Sequence, residues 1–273
     1  MDKSKGIVLD FLKLKEIKKI DELENYNFHE IYQNNKFKEF NNNKTYEDGD
    51  CTKLAYAIDW IVWGNELKKI VPNYSEEDLF QEKSFSGDTI CTFNTLFGST
   101  EEIFNSVVKK LRIDSSEMME KIKQFKQKYQ TIGNFSLLPN KSINGQTLNK
   151  FRGRYWGWKD YFDIFLFELD KALNGEYENI DFYEIFKEND FFFSTFKTAE
   201  EYCNVFFLDN SFRLSGTHFN HNMLNEKNID IYKNFINEYT TKSINLIDIR
   251  SKKIIMRLKE ELKNTDFPAS YLD

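Results

Sequence analysis

Between Tyr129 and Leu173 the chain gathers the residue types best suited to chemistry: Arg152, Asp160 and Asp163, with Asn149 just ahead of them. Asp160 and Asp163 lie three apart where an apolar-periodic segment begins, so they project from one helix face. Carboxylates at that end also suit the positive pole of the helix dipole. Two arrangements follow. In the first, Asn149, Arg152 and the aspartates line a cleft: the guanidinium grips a phosphate or carboxylate with two parallel hydrogen bonds, and the paired carboxylates hold a hard cation. In the second, Arg152 pairs internally with Asp160 or Asp163 and locks a loop onto the helix, while Trp156 and Trp158 fill core. The second is favoured, because structural Arg–Asp ties are common and no complete catalytic set stands beside them. The four residues are therefore candidate ligand-binding positions, and no catalytic residue or metal ligand is assigned.

Other chemistry is sparse. His218 and His221 are three apart and could reach one metal, but Glu226 is the nearest carboxylate and a third ligand is wanting; capping or surface histidines are the simpler reading. No cysteine pair has zinc spacing, and no Walker-type, dinucleotide-binding or nucleophile-elbow motif occurs, so no cofactor is called for. The basic run Arg250, Lys252, Lys253, Arg257 and Lys259 is followed at once by Glu260 and Glu261, which reads as a solvated helix face.

The elements that must position these residues are mostly helical. Ile7 to Leu23 carries apolar residues in a helical or strand-then-helix pattern. Lys53 to Val71 predicts a helix with Trp60 and Trp63, stopped by Pro72. Ser99-Thr-Glu-Glu102 reads as a capping box ahead of a helix through Leu111, and Asp114 to Glu117 opens another through Tyr129. Phe162 to Leu173 is a clear helix closed by Asn174-Gly175, and Thr198 caps a further one. Ile229 to Tyr239 and Ile247 to Leu262 read as two more. The alternating, β-branched stretch Phe85–Phe97 and the apolar stretch Ile132–Leu138 supply a small β element. The polar stretch Asn34 to Asp50 is the best candidate loop or linker.

The fold class expected is mainly α: a compact helical domain with a small β element, 1–273 as a single domain, with 226–273 open to being a helical add-on. An apolar fraction of 40% with 16% aromatics gives a chain of 273 residues ample material for a core and excludes general disorder. Three prolines and eleven glycines are too few for the tight turns of a sandwich. A net charge of −6 confers solubility and no overall pull toward nucleic acid. No secretory leader or apolar run of about 18 residues is seen, so no membrane association is expected. Three widely spaced cysteines point to a reducing, cytoplasmic setting.

One pattern goes further. Thr131-x-Gly133, Pro139, Asn149-x-x-Arg152-Gly153 and Asp160-x-x-Asp163-x-x-Leu166 resemble a bacterial family of uncharacterised proteins, a domain of unknown function. Asp48-Gly-Asp50 ahead of the helix with Trp63, Gly87-Asp88 in an extended segment, and Tyr202 with Phe206-Phe207-Leu208-Asp209 also look like that family, so the likeness spans roughly Asp48 to Asp209. The family usually has an Asp-Arg pair where this chain has Asp160-Tyr161. The resemblance implies a fold and a structural hub, and no reaction. Ile132 to Leu138, with Asn149 downstream, also looks like a stretch of some HNH-type nucleases. Those need an upstream histidine base and metal ligands, and His29 is the sole upstream histidine, so such a relative would be catalytically dead.

The expectation is thus a non-enzymatic intracellular protein that binds another protein in a regulatory, defence or anti-defence role of a bacterial or phage system. The alternative is an enzyme or binding protein for a phosphorylated or nucleotide-like ligand using Arg152 and Asp160 or Asp163.

Overall fold

A computed structural model describes residues 2–42, 48–113, 116–142, 148, 161–176 and 180–272. The protein is mainly α with a small two-stranded sheet. The longer helices are α1 (Lys3–Lys15), α2 (Lys53–Ile70), α3 (Glu101–Lys110), α4 (Ser116–Lys128), α5 (Phe162–Leu173), α6 (Ile180–Glu188), α7 (Ala199–Val205) and α8 (Ile229–Lys263). Strands β1 (Phe85–Thr89) and β2 (Phe135–Pro139) pair antiparallel, with Gly87 opposite Leu137. The strand expected over Phe85–Phe97 is therefore shorter: Asn94–Phe97 turns back into a helical turn.

Local chemistry explains most boundaries. Thr52 accepts a hydrogen bond from the Ala55 amide and opens α2, and Pro72 follows its end. Thr198 caps α7 in the same way through the Glu201 amide. The cap of α3 is Thr100, which accepts from the Ile103 amide, so the expected role of Ser99 passes to its neighbour. Gly175, at φ 79°, closes α5 in the left-handed conformation that glycine adopts without strain.

Two expectations are corrected. The segment expected to be a linker enters the core: Phe37 and Phe40 are buried against Phe11, and Gly49–Cys51 is a buried turn. The two helices expected after residue 229 are one 35-residue helix. In its polar middle, Thr240 and Thr241 return their hydroxyls to the carbonyls of Ile236 and Asn237, at 2.8 and 2.7 Å. That helix packs against α2, α4 and the turns Ile20–Asn25 and Ile132–Asn134. Phe235, Ile236, Ile247, Ile254 and Leu258 join the one buried cluster that also holds residues of α1, α2 and both strands.

At the junction of these elements lies Arg250 of α8, fully buried. Its Nε donates to the Phe206 carbonyl at 2.9 Å, and Nη1 donates to the carbonyls of Gly133, at 3.0 Å, and Phe135. Its guanidinium lies 5.5 Å from the Trp63 ring, whose indole N–H donates to the Val205 carbonyl at 2.9 Å. The basic run is thus a solvated face at Lys252, Lys253 and Arg257, but Arg250 turns inward and clamps three chain segments together.

Candidate functional site

The turn Gly49–Cys51 sits directly against β1, where the chain packs closely enough to demand glycine. A Cβ on Gly87 would stand 2.3 Å from the Asp50 carbonyl oxygen, and one on Gly49 would stand 2.6 Å from Gln130 Oε1. Gly49 instead donates its amide to that Gln130 oxygen at 2.9 Å. On the far side, fully buried Asn134 closes the base of the sheet: its side chain donates to the carbonyls of Cys91 and Tyr129 and accepts from the Cys91 amide, all at 2.8 Å.

These contacts shape a cleft of about 500 Å³ whose lining includes Asp48, Asp50, Glu82, Asp88, Phe93, Asn94, Tyr129 and Asn140. Four carboxylates line it, and no Lys, Arg or His is among its described lining residues. Asp48 stands at the exposed rim and Asp50 at the floor, where it is only 5% exposed. One oxygen of Asp50, Oδ1, has no hydrogen-bond partner. An ionised carboxylate in that position is costly. Burial first, then the charges of Asp48 and Asp88, hold the Asp50 carboxyl well above the usual carboxylate range. Burial also raises Asp48, opposed by His29. Beside the floor, Tyr56 donates its hydroxyl to Glu82 at 2.7 Å and accepts from the Gly87 amide at 3.2 Å. Burial, with Asp50 and Glu82 nearby, pushes the Cys51 thiol up, so it rests as an inert protonated thiol.

Of the residues singled out by sequence, Asp163 is buried at the start of α5. It accepts from the Leu214 amide at 2.9 Å and meets His218 Nε2 at 3.0 Å. Its described work is to anchor the segment after α7. His221 Nδ1 lies 3.2 Å from the Thr95 carbonyl, whereas His218 meets Asp163. Asn149, Arg152 and Asp160, with Trp156 and Trp158, lie outside the described residues. What the sequence did show of the cleft were Asp48-Gly-Asp50 and Gly87-Asp88, valued for their likeness to a family; Glu82, Tyr129 and Asn140 carried no local signal.

Glycines of this pattern recur at the hub as well. A Cβ on Gly133 would stand 2.2 Å from the Ile247 carbonyl oxygen of α8, so the turn before β2 and the long helix touch backbone to backbone. The chain belongs to a family of unknown function, DUF6994. The family model matches residues 30–254, a span that takes in the cleft, both strands and the Arg250 clamp. No curated protein and no solved structure matches this DUF6994 chain.

Proposed function

We propose that this DUF6994 protein is a non-enzymatic binding protein that receives a positively charged group of a partner protein in its acidic cleft, in a regulatory role inside a bacterial or phage-infected cell. The observation that carries the reading is the Asp50 carboxylate on the cleft floor, nearly inaccessible and with Oδ1 unpartnered, beneath three further acidic side chains. Such an arrangement stabilises a cation and repels a phosphate, so a phosphorylated ligand is disfavoured at this place. The net charge of −6 draws basic partners from a distance. Cys51, Cys91 and Cys203 are buried free thiols, which suits a reducing cytoplasm.

The test is fluorescence anisotropy of the full chain with a basic peptide and an acidic peptide of equal length, at low and at high salt. Binding of the basic peptide alone, weakening as salt rises, is the expected result. Equal binding of both, or of the acidic one only, would remove the cleft as the binding surface.

A further inference from the structure

Two buried polar groups sit at the hub on neighbouring helices, and each lacks the kind of partner that the other could supply. We propose that Asp59 of α2 and Arg250 of α8 form a proton-operated switch. With a proton on Asp59, the guanidinium is left to clamp the turn before β2 and the end of α7; without it, the carboxylate draws Arg250 Nη2 into a buried ion pair. The switch is independent of what the acidic cleft binds.

Helices α2 and α8 pack against one another. Asp59 and Trp63 are four apart and share a face of α2, and the Trp63 ring lies 5.5 Å from the Arg250 guanidinium. Both charged residues are buried. Neither oxygen of Asp59 has a hydrogen-bond partner. On Arg250, Nε and Nη1 are engaged by carbonyls while Nη2 is bonded to nothing. A carboxylate that stayed charged here would need donors to offset its lost hydration. A carboxyl standing off from a guanidinium that keeps one nitrogen in reserve fits an acid that carries its proton at rest. Burial acts in that direction, raising Asp59 to about 7 against the pull of Arg250.

The other groups that titrate near the pair do not compete for this role. Tyr202 of α7 and Cys91 beyond β1 are within reach of the Arg250 charge, and groups of both types are neutral at ordinary pH. Helix α1, packed on α2, buries Ser4, Val8, Phe11 and Leu12 and no charged side chain. The short helix Glu76–Phe80 buries Leu79 and Phe80. The Gly49–Cys51 turn brings Asp50 and Cys51 to α2, and neither contributes to the shift at Asp59. Arg250 is the charged residue that α8 itself buries.

What the proton controls follows from what Arg250 holds. Once ionised, Asp59 needs donors, and Nη2 is the unengaged one beside it. A guanidinium that turns to meet it pulls on Nη1, which donates to the carbonyls of Gly133 and Phe135 on either side of Asn134. Asn134 ties Cys91 and Tyr129 together through its side chain. Loss of one buried proton is thereby passed to the base of the two-stranded sheet.

The experiment is an NMR titration of the full chain from about pH 5 to about pH 9, with isotope-labelled aspartate carboxyls and nitrogens. The Asp59 carboxyl should titrate well above that of Asp10, an exposed acid on α1. Two N–H signals report on the clamp: Arg250 Nε, bonded to the Phe206 carbonyl, and the Trp63 indole, bonded to the Val205 carbonyl. Both should move with the Asp59 midpoint. In Asp59→Asn, which mimics the protonated side chain, both should hold their low-pH positions throughout. An Asp59 carboxyl that titrates together with Asp10 would overturn the switch, and so would an Arg250 signal that stays still while Asp59 titrates. The same movement in Asp59→Asn would assign the proton to another group and overturn it too. If Asp59→Asn does not fold, the wild-type titration decides alone: a midpoint shared by the Asp59 carboxyl and Arg250 Nε upholds the switch, and separate midpoints sink it.

Discussion

At the scale of single residues, two buried carboxyls set how this protein answers to pH. Asp59 on α2 is 1% exposed, and neither of its oxygens has a hydrogen-bond partner. Burial raises its carboxyl to about 7, against the pull of the Arg250 charge. In the unfolded chain it returns to an ordinary value near 4, on the order of three units lower. The folded state therefore holds more protons across that window. The stabilisation is complete below the unfolded value and is lost as pH rises through the folded one. Urea unfolding should show the wild type less stable at about pH 8 than at about pH 5, and Asp59→Asn should flatten that difference. A slope left intact would mean that Asp59 is already ionised beside Arg250. Asp50 acts in the same direction, and its elevation gives ligand binding a signature of its own. Burial, then the charges of Asp48 and Asp88, outweigh the hydrogen bond from the Cys51 thiol, so Asp50 keeps its proton to a higher pH than a free aspartate does. A bound cation favours the ionised form and expels that proton. Affinity for a basic peptide should rise with pH, and calorimetry in two buffers of different ionisation heat should report proton release. Proton uptake, or none, would show that Asp50 is not the group that meets the charge.

Elements are joined by residues whose role depends on distant parts of the chain. Arg250 reaches from α8 to the turn before β2 and to the carbonyl that ends α7. Arg250→Met leaves those carbonyls buried without donors, and the loss should be about 3–5 kcal/mol by urea unfolding; Arg250→Lys, with the charge but without the planar fork, should lose less. Gly133→Ala forces a methyl against the Ile247 carbonyl and the Ser251 side chain of α8, 2.2 and 2.3 Å from an ideal Cβ, and should cost about 1–3 kcal/mol. These junctions also show what the sequence made legible. Helices α2 and α5 were plain, because apolar spacing agreed with a stop signal on each: Pro72 after α2 and Asn174-Gly175 after α5. Strand β2 was legible as an apolar run bounded by Gly133 and Pro139, and β1 in place but not in length, since the expected stretch Phe85–Phe97 turns helical at Asn94. Phe37 and Phe40 were hidden among Lys and Asn, where local polarity outweighed two aromatic anchors. Arg250 was hidden by basic neighbours, although its register with Ile247, Ile254 and Leu258 places it on the buried stripe. The cleft unites Asp50, Glu82 and Tyr129, and only the fold brings such separated positions together.

For the molecule as a whole, the question is what the 35-residue helix α8 does for the rest. At about 1.5 Å per residue it runs roughly 50 Å. Along that length it meets the turns Ile20–Asn25 and Ile132–Asn134 as well as α2 and α4. Lys259 reaches Asp21 at 2.9 Å, and the hydroxyls of Tyr232 and Tyr239 donate to the carbonyls of Leu96 and Thr92. Thr92 also lines the acidic cleft, so the helix supports the cleft wall from behind. Removing α8 would expose the apolar faces of Phe125, Ile132 and Trp63 and strip the turn before β2 of its only described arginine clamp. Exposure on that scale outweighs the few kcal/mol by which domains of this size are stable. A chain ended after Asn228 should therefore lose its cooperative thermal transition and bind a hydrophobic dye. If it instead melts sharply and keeps its affinity for a basic peptide, residues 229–273 are an add-on to a core that stands alone. The discriminating control is Lys259→Ala in the full chain: it removes a part-exposed ion pair, worth about 0–1 kcal/mol, and should leave both the transition and the binding intact.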